Sequence, residues 1–83
     1  MQVEKKLEIS ESHLIEYGRS SWSSECMSVR NRYNHESGKF DRVSSQEIPI
    51  QDIEHIISFL AENKVLGREA TVNCLKALVS SLS

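Results

Sequence analysis

The spacing of apolar residues changes once along this chain, at Pro49, and that change constrains the fold more than any other feature. Before Pro49, apolar and polar residues alternate with a period of two, which sends successive side chains to opposite faces of a strand. Val3, Lys5, Leu7 and Ile9 fall on one side of the first such segment, and Gln2, Glu4, Lys6 and Glu8 on the other. After Ser10–Ser12, His13, Ile15 and Tyr17 oppose Leu14 and Glu16, a pattern that reads as a second short strand or a continuation past a bulge. Gly18 opens a serine-rich stretch whose hydroxyls compete for backbone hydrogen bonds and favour a turn or loop. From Cys26 the alternation returns, with Met27, Val29 and Tyr33 on one face and Ser28, Arg30 and Arg32 on the other. Asn31 is the polar exception on the apolar side. Asn34 to Gly38 then reads as a hairpin turn with a positive φ expected at Gly38, and Lys39–Val43 resumes an extended pattern.

Pro49 lacks an amide donor and holds Ile48 extended, so it closes the strand region. Beyond it Ile50, Ile53, Ile56, Ile57 and Leu60 recur at the spacing of one helical stripe. Gly67 is expected to mark the stop, and a second helix follows with Leu75, Leu78, Val79 and Leu82 as its stripe. The expected fold is therefore α+β. An antiparallel sheet of three to four strands (about 3–9, 13–18, 26–33 and 39–48) is followed by two helices (about 50–64 and 68–81) packed on one face, in a single small domain over 1–83.

Length bounds function as well as fold. A chain of 83 residues buries only about 60% of its unfolded surface, so a deep catalytic cleft is not expected. No apolar run approaches the roughly 20 residues of a membrane span, and no secretory core is visible. Two cysteines, Cys26 and Cys74, lie far apart and are expected to be reduced, which points to a soluble cytoplasmic protein. The histidines and cysteines form no C-x-x-C, H-x-x-x-H or H-E-x-x-H pair, so neither a metal nor a cofactor is expected. There is no nucleophile elbow, no Cys-His signature and no glycine-rich phosphate loop, and the expectation is a protein that is not an enzyme.

The net charge of −2 conceals an uneven distribution. Residues 1–17 hold four acids and two bases, residues 18–46 three acids and five bases, and residues 47–83 five acids and three bases. The basic middle segment also contains or adjoins Tyr17, Trp22, Tyr33 and Phe40. Cations that track phosphate, interleaved with rings that stack bases, suit single-stranded nucleic acid. Ser28-Val29-Arg30-Asn31-Arg32-Tyr33, a turn with Ser37-Gly38-Lys39-Phe40, and Glu47-Ile48-Pro49-Ile50 running into a helix together resemble the strand-turn-strand-helix unit of the purine-rich-element-binding (Pur) proteins. The same stretch, about residues 27–62, is similar to the single-strand-binding transcriptional coactivators. The resemblance implies a curved antiparallel sheet that binds single-stranded nucleic acid, in a dimer joined through the helices. This chain departs from those families in its acidic balance, its lack of lysine-rich strands and its second helix after Gly67.

Two functions follow as expectations. In the first, a non-enzymatic module binds single-stranded nucleic acid through Ser28, Arg30, Arg32, Lys39 and Arg42, with Trp22 as an aromatic anchor. In the second, the same arginine face and Trp22 engage a protein partner, as in a small adaptor, regulator or inhibitor, because such residues dominate interface energetics. The helix residues Ile53, Ile56, Ile57, Leu60, Leu75, Leu78, Val79 and Leu82 are expected either to complete the core or to join a homodimer.

Overall fold

A computed structural model describes all residues from Met1 to Ser83, which divide into two compact units, Met1–Ile53 and Glu54–Ser83. The first unit is an antiparallel sheet of four strands: β1 (Gln2–Ser10), β2 (His13–Arg19), β3 (Met27–Tyr33) and β4 (Glu47–Pro49), in that spatial order. A 3-10 turn, Ile50–Asp52, leads into α1 (Ile53–Glu62), and α2 (Arg68–Ser80) follows. The α+β class, with the strands first and two helices after them, is as expected from the period change at Pro49. No helix is long and apolar enough to cross a membrane.

β1 and β2 form a tight hairpin in which Ser10 faces His13 across Glu11 and Ser12. Two register shifts interrupt β1, one between Val3 and Lys5 and one between Glu8 and Ser10. The first takes Val3 out of the expected alternation: it pairs with Gly18, whereas Lys5 pairs with Tyr17 and Leu7 with Ile15. Gly18 itself is a buried member of β2 rather than the start of a loop. A Cβ at this position would lie 2.0 Å from the Gln2 carbonyl oxygen, so β1 passes where any side chain would stand. A glycine inside a strand often marks such a close backbone approach.

The turn after β3 has the geometry its sequence predicts at the tip and departs from it beyond. Gly38 has φ +84°, the His35 amide donates to the Lys39 carbonyl at 2.7 Å, and Asn34 bridges Phe40. The expected strand over 39–48 does not continue from there. Asp41 Oδ1 accepts the amides of Val43 (3.1 Å) and Ser44 (3.2 Å), and Oδ2 accepts the Ser44 hydroxyl at 3.0 Å. An aspartate that bonds the backbone two and three residues on makes a turn, and here it carries the chain away from β3. Contact resumes when the Tyr33 amide donates to Ser45 Oγ at 2.8 Å, and β4 then pairs Glu47 with Arg30, Ile48 with Val29 and Pro49 with Ser28.

In the second unit, α1 stops earlier than Gly67. Lys64 adopts φ +56°, its amide donates to the Ala61 carbonyl at 3.1 Å, and the Val65 amide reaches back to Leu60 at 3.2 Å. That pair of bonds closes a helix with a left-handed residue, here a lysine in place of the usual glycine. Gly67, with φ −64° and ψ 160°, is instead the N-cap of α2. Neither unit buries a hydrophobic side chain, and no residue of α1 or α2 is buried.

Gly18→Ala would force the Gln2 backbone to move, because no rotamer change relieves a clash with a main-chain oxygen. We expect a loss of about 3 kcal/mol in unfolding free energy, at the upper end of overpacking costs. Urea denaturation followed by far-ultraviolet circular dichroism measures it, and a change within 0.5 kcal/mol, on the order of an ordinary surface substitution, would show that β1 does not need this approach.

Candidate functional site

Register places the polar side chains of the sheet on one face. Glu16 stands opposite Arg30, Leu14 opposite Arg32 and Gly18 opposite Ser28 across β2 and β3, while Glu47 of β4 stands opposite Arg30 on its other side. Glu16 is only 3% exposed and Arg30 9%. Arg30 donates to Glu16 Oε1 through Nε (3.0 Å) and one terminal nitrogen (2.6 Å). Arg32 donates to Glu16 Oε2 at 3.4 Å and, through Nε, to Asn34 Oδ1 at 3.0 Å. The Phe40 ring, brought in by the Asn34–Phe40 bridge, lies 4.6 Å from the Arg30 guanidinium carbon and 4.7 Å from that of Arg32. One carboxylate therefore serves two guanidinium groups, and one aromatic ring covers both, a cation–π arrangement that gains strength away from water.

Hydroxyls complete this face. Ser28 is fully buried and shares a 2.5 Å hydrogen bond with Ser20. The Ser21 amide donates to Glu47 Oε1 at 3.0 Å. Every buried side-chain nitrogen and oxygen has a partner, which is the condition under which a polar interior is tolerable.

Of the residues singled out in the sequence, Ser28, Arg30 and Arg32 are gathered on this face, but two are buried and all three are engaged internally. Lys39 and Arg42 are exposed on the turn and its exit. Trp22 is 54% exposed in the loop after β2, which the Ser20 amide closes onto the Cys26 carbonyl at 3.0 Å. Ile53, Ile57 and Leu60 are half-buried, whereas Ile56, Leu75, Leu78, Val79 and Leu82 are exposed. Cys26 and Cys74 are free thiols. Sequence reasoning missed Glu16 as the centre of the face. The available signal was its place opposite Ile15 in the alternation, combined with the β2–β3 register that brings it to Arg30.

The other face of the sheet carries Leu7, Ile15, Tyr17, Val29 and Ile48 in adjacent strands, all half-buried or exposed. Asn31, the polar exception of β3, also has partners on this side. It accepts a hydrogen bond from His13 Nε2 and donates to the Tyr33 hydroxyl at 3.0 Å, and the His13 and Tyr33 rings stack with centroids 4.4 Å apart.

Two acids of the sheet unit have shifted titrations. Burial alone would raise Glu47, but the Ser21 hydroxyl and amide, with the charge of Arg30, hold its carboxyl below the ordinary value. The Ser44 amide and hydroxyl, aided by His35 and the Val43 amide, do the same for Asp41. No family model, curated protein or solved structure matches this chain in comparisons with known proteins.

Removing one partner of a buried ion pair leaves the other uncompensated, at a cost of about 3–5 kcal/mol. We therefore expect Glu16→Ala to unfold the sheet unit at temperatures where Arg42→Ala, at an exposed position, melts within about a degree or two of the native protein. Parallel thermal melts compare them, and equal midpoints would remove Glu16 from its central place. A group whose pKa is lower in the folded state stabilises the fold above its unfolded pKa, and that contribution disappears as pH falls through the folded value. Stability should accordingly decline as pH drops below the ordinary glutamate range, and Glu47→Gln should decline less steeply. Urea midpoints measured across acid pH test this, and parallel curves for the two proteins would refute it.

Proposed function

We propose that this chain is a non-enzymatic binding module whose partner is a protein, met through the apolar face of the sheet with Trp22 as an additional anchor. The observation that carries this reading is the contrast between the two faces. On the polar face both strand arginines and the Phe40 ring are already engaged with one another and with Glu16. On the other, Leu7, Tyr17 and Tyr33 remain exposed beside half-buried Ile15, Val29 and Ile48. Apolar surface is worth about 25 cal/mol per Å² when removed from water, and tyrosine and tryptophan are enriched where that energy is concentrated. A partner presenting apolar side chains gains most from such a face. The free thiols Cys26 and Cys74 suit a reducing compartment, and we place the module in the cytoplasm.

A second reading, binding of single-stranded nucleic acid, is favoured by one specific observation. Lys39 and Arg42 are exposed on the hairpin turn, and Trp22 offers an exposed ring. The strand-turn-strand-helix resemblance to the Pur proteins leads to the same ligand.

The two readings separate in a paired assay of the whole protein. Polypeptides captured from cells on the immobilised protein should be lost with Tyr17→Ser or Trp22→Ala, while circular dichroism remains unchanged. Fluorescence anisotropy with a labelled single-stranded oligonucleotide should show no binding at low salt. Tight oligonucleotide binding that falls steeply with salt and is weakened by Lys39→Ala and Arg42→Ala would replace the protein reading with the nucleic-acid one.

A further inference from the structure

The sheet has one long open edge. β1 lies at the end of the strand order, all nine of its residues are exposed, and Leu7 at its middle is 59% exposed. Every second residue of an edge strand turns its amide and carbonyl outward, and such a row is a template for another strand. The opposite edge, β4, offers only three residues, one of them a proline without an amide donor.

Natural edges are commonly protected by charge and by bulges, and β1 has both, so the charges must be tested against each possible register. Two copies of β1 meeting antiparallel about a two-fold axis keep the same sheet face up, and residues of equal parity then stand opposite one another. Centring the axis on Lys6 sets lysine against lysine and Glu4 against Glu8. Centring it on Glu8 sets glutamate against glutamate, and centring it on Lys5 again opposes two lysines. Centring it on Leu7 instead pairs Leu7 with Leu7 and places Lys6 opposite Glu8 twice. That arrangement alone combines opposite charges with no like pair. It also falls on Lys5–Glu8, the stretch of β1 between its two register shifts. Neither Lys6 nor Glu8 has an ion-pair partner within the chain, whereas Glu4 is taken by Arg19 at 3.2 Å.

We propose that β1 is a self-recognition edge: two copies of the chain pair β1 with β1 antiparallel about Leu7, joining two four-stranded sheets into one of eight strands. The pairing uses the main-chain edge of β1 and sets the two Leu7 side chains beside one another on the proposed partner face, but its test, the mass of the chain by itself, does not depend on that partner. Main-chain hydrogen bonds supply the attraction, and the two Lys6–Glu8 contacts select the register.

Sedimentation equilibrium of the full chain tests this over a range of concentrations. The native protein should approach twice its 9.5 kDa mass. Lys6→Glu and Glu8→Lys each turn two attractive contacts into repulsive ones and should each weaken self-association by about tenfold. An equimolar mixture of the two variants should pair at least as well as the native chain, because the two carboxylates of one copy then face the two ammonium groups of the other. Since a misfolded variant would not be rescued by mixing, the mixture separates a lost interface from a lost fold. A native protein that stays at 9.5 kDa, a dimer indifferent to both single variants, or a mixture that fails to pair would each overturn the proposal.

Discussion

A single buried carboxylate, that of Glu16, organises this sheet. It accepts three hydrogen bonds from two arginines on the neighbouring strand, and those arginines in turn hold Phe40 over their planes. Replacing a buried ion pair with apolar groups is often neutral or favourable, so such a cluster is poorly explained as a source of stability alone. Its effect here is on register. Sliding β2 by one residue against β3 would turn Glu16 to the opposite face and leave both guanidinium groups without their acceptor, a penalty far larger than an apolar mismatch. Gly18 constrains the neighbouring pair, β1 on β2, because only at that residue can the Gln2 backbone pass so closely.

The position of Phe40 explains the irregular passage between the last two strands. Once its ring is committed to the arginines, Asp41 can turn the chain outward, and Ser45 returns it by bonding the Tyr33 backbone. Four serines, at 20, 21, 28 and 45, contribute hydrogen bonds to this part of the fold. A serine adds little volume and both a donor and an acceptor, which suits a face whose interior is polar. The serine-rich composition thus has a structural use in the sheet as well as in its loops.

Much of this architecture was legible in the chain, and the parts that were not share a cause. Alternation located β1, β2 and β3, and the change of period at Pro49 located the helices, because both signals are local. The extent of the last strand was not legible: Lys39–Val43 has an extended pattern, but a carboxylate at Asp41 that bonds two amides ahead outcompetes pairing. Nor could the sequence distinguish a glycine that breaks a strand from one that lets another backbone pass, as Gly18 does. For the candidate site, periodicity assigned Ser28, Arg30 and Arg32 correctly to one face. It could not reveal that Glu16, fourteen and sixteen residues before the two arginines, would consume their charge.

That distribution of roles bears on what the apolar face of the sheet has to specify. In most half-buried sheets the hydrophobic face sets the register, so it must be packed away and cannot also serve recognition. Here charge and a backbone close approach set it from the opposite side. Leu7, Ile15, Tyr17, Val29 and Ile48 are thereby relieved of part of the task of specifying the register. Substitutions among them should cost the fold less than substitutions at Glu16, Gly18 or Arg30, which hold the register.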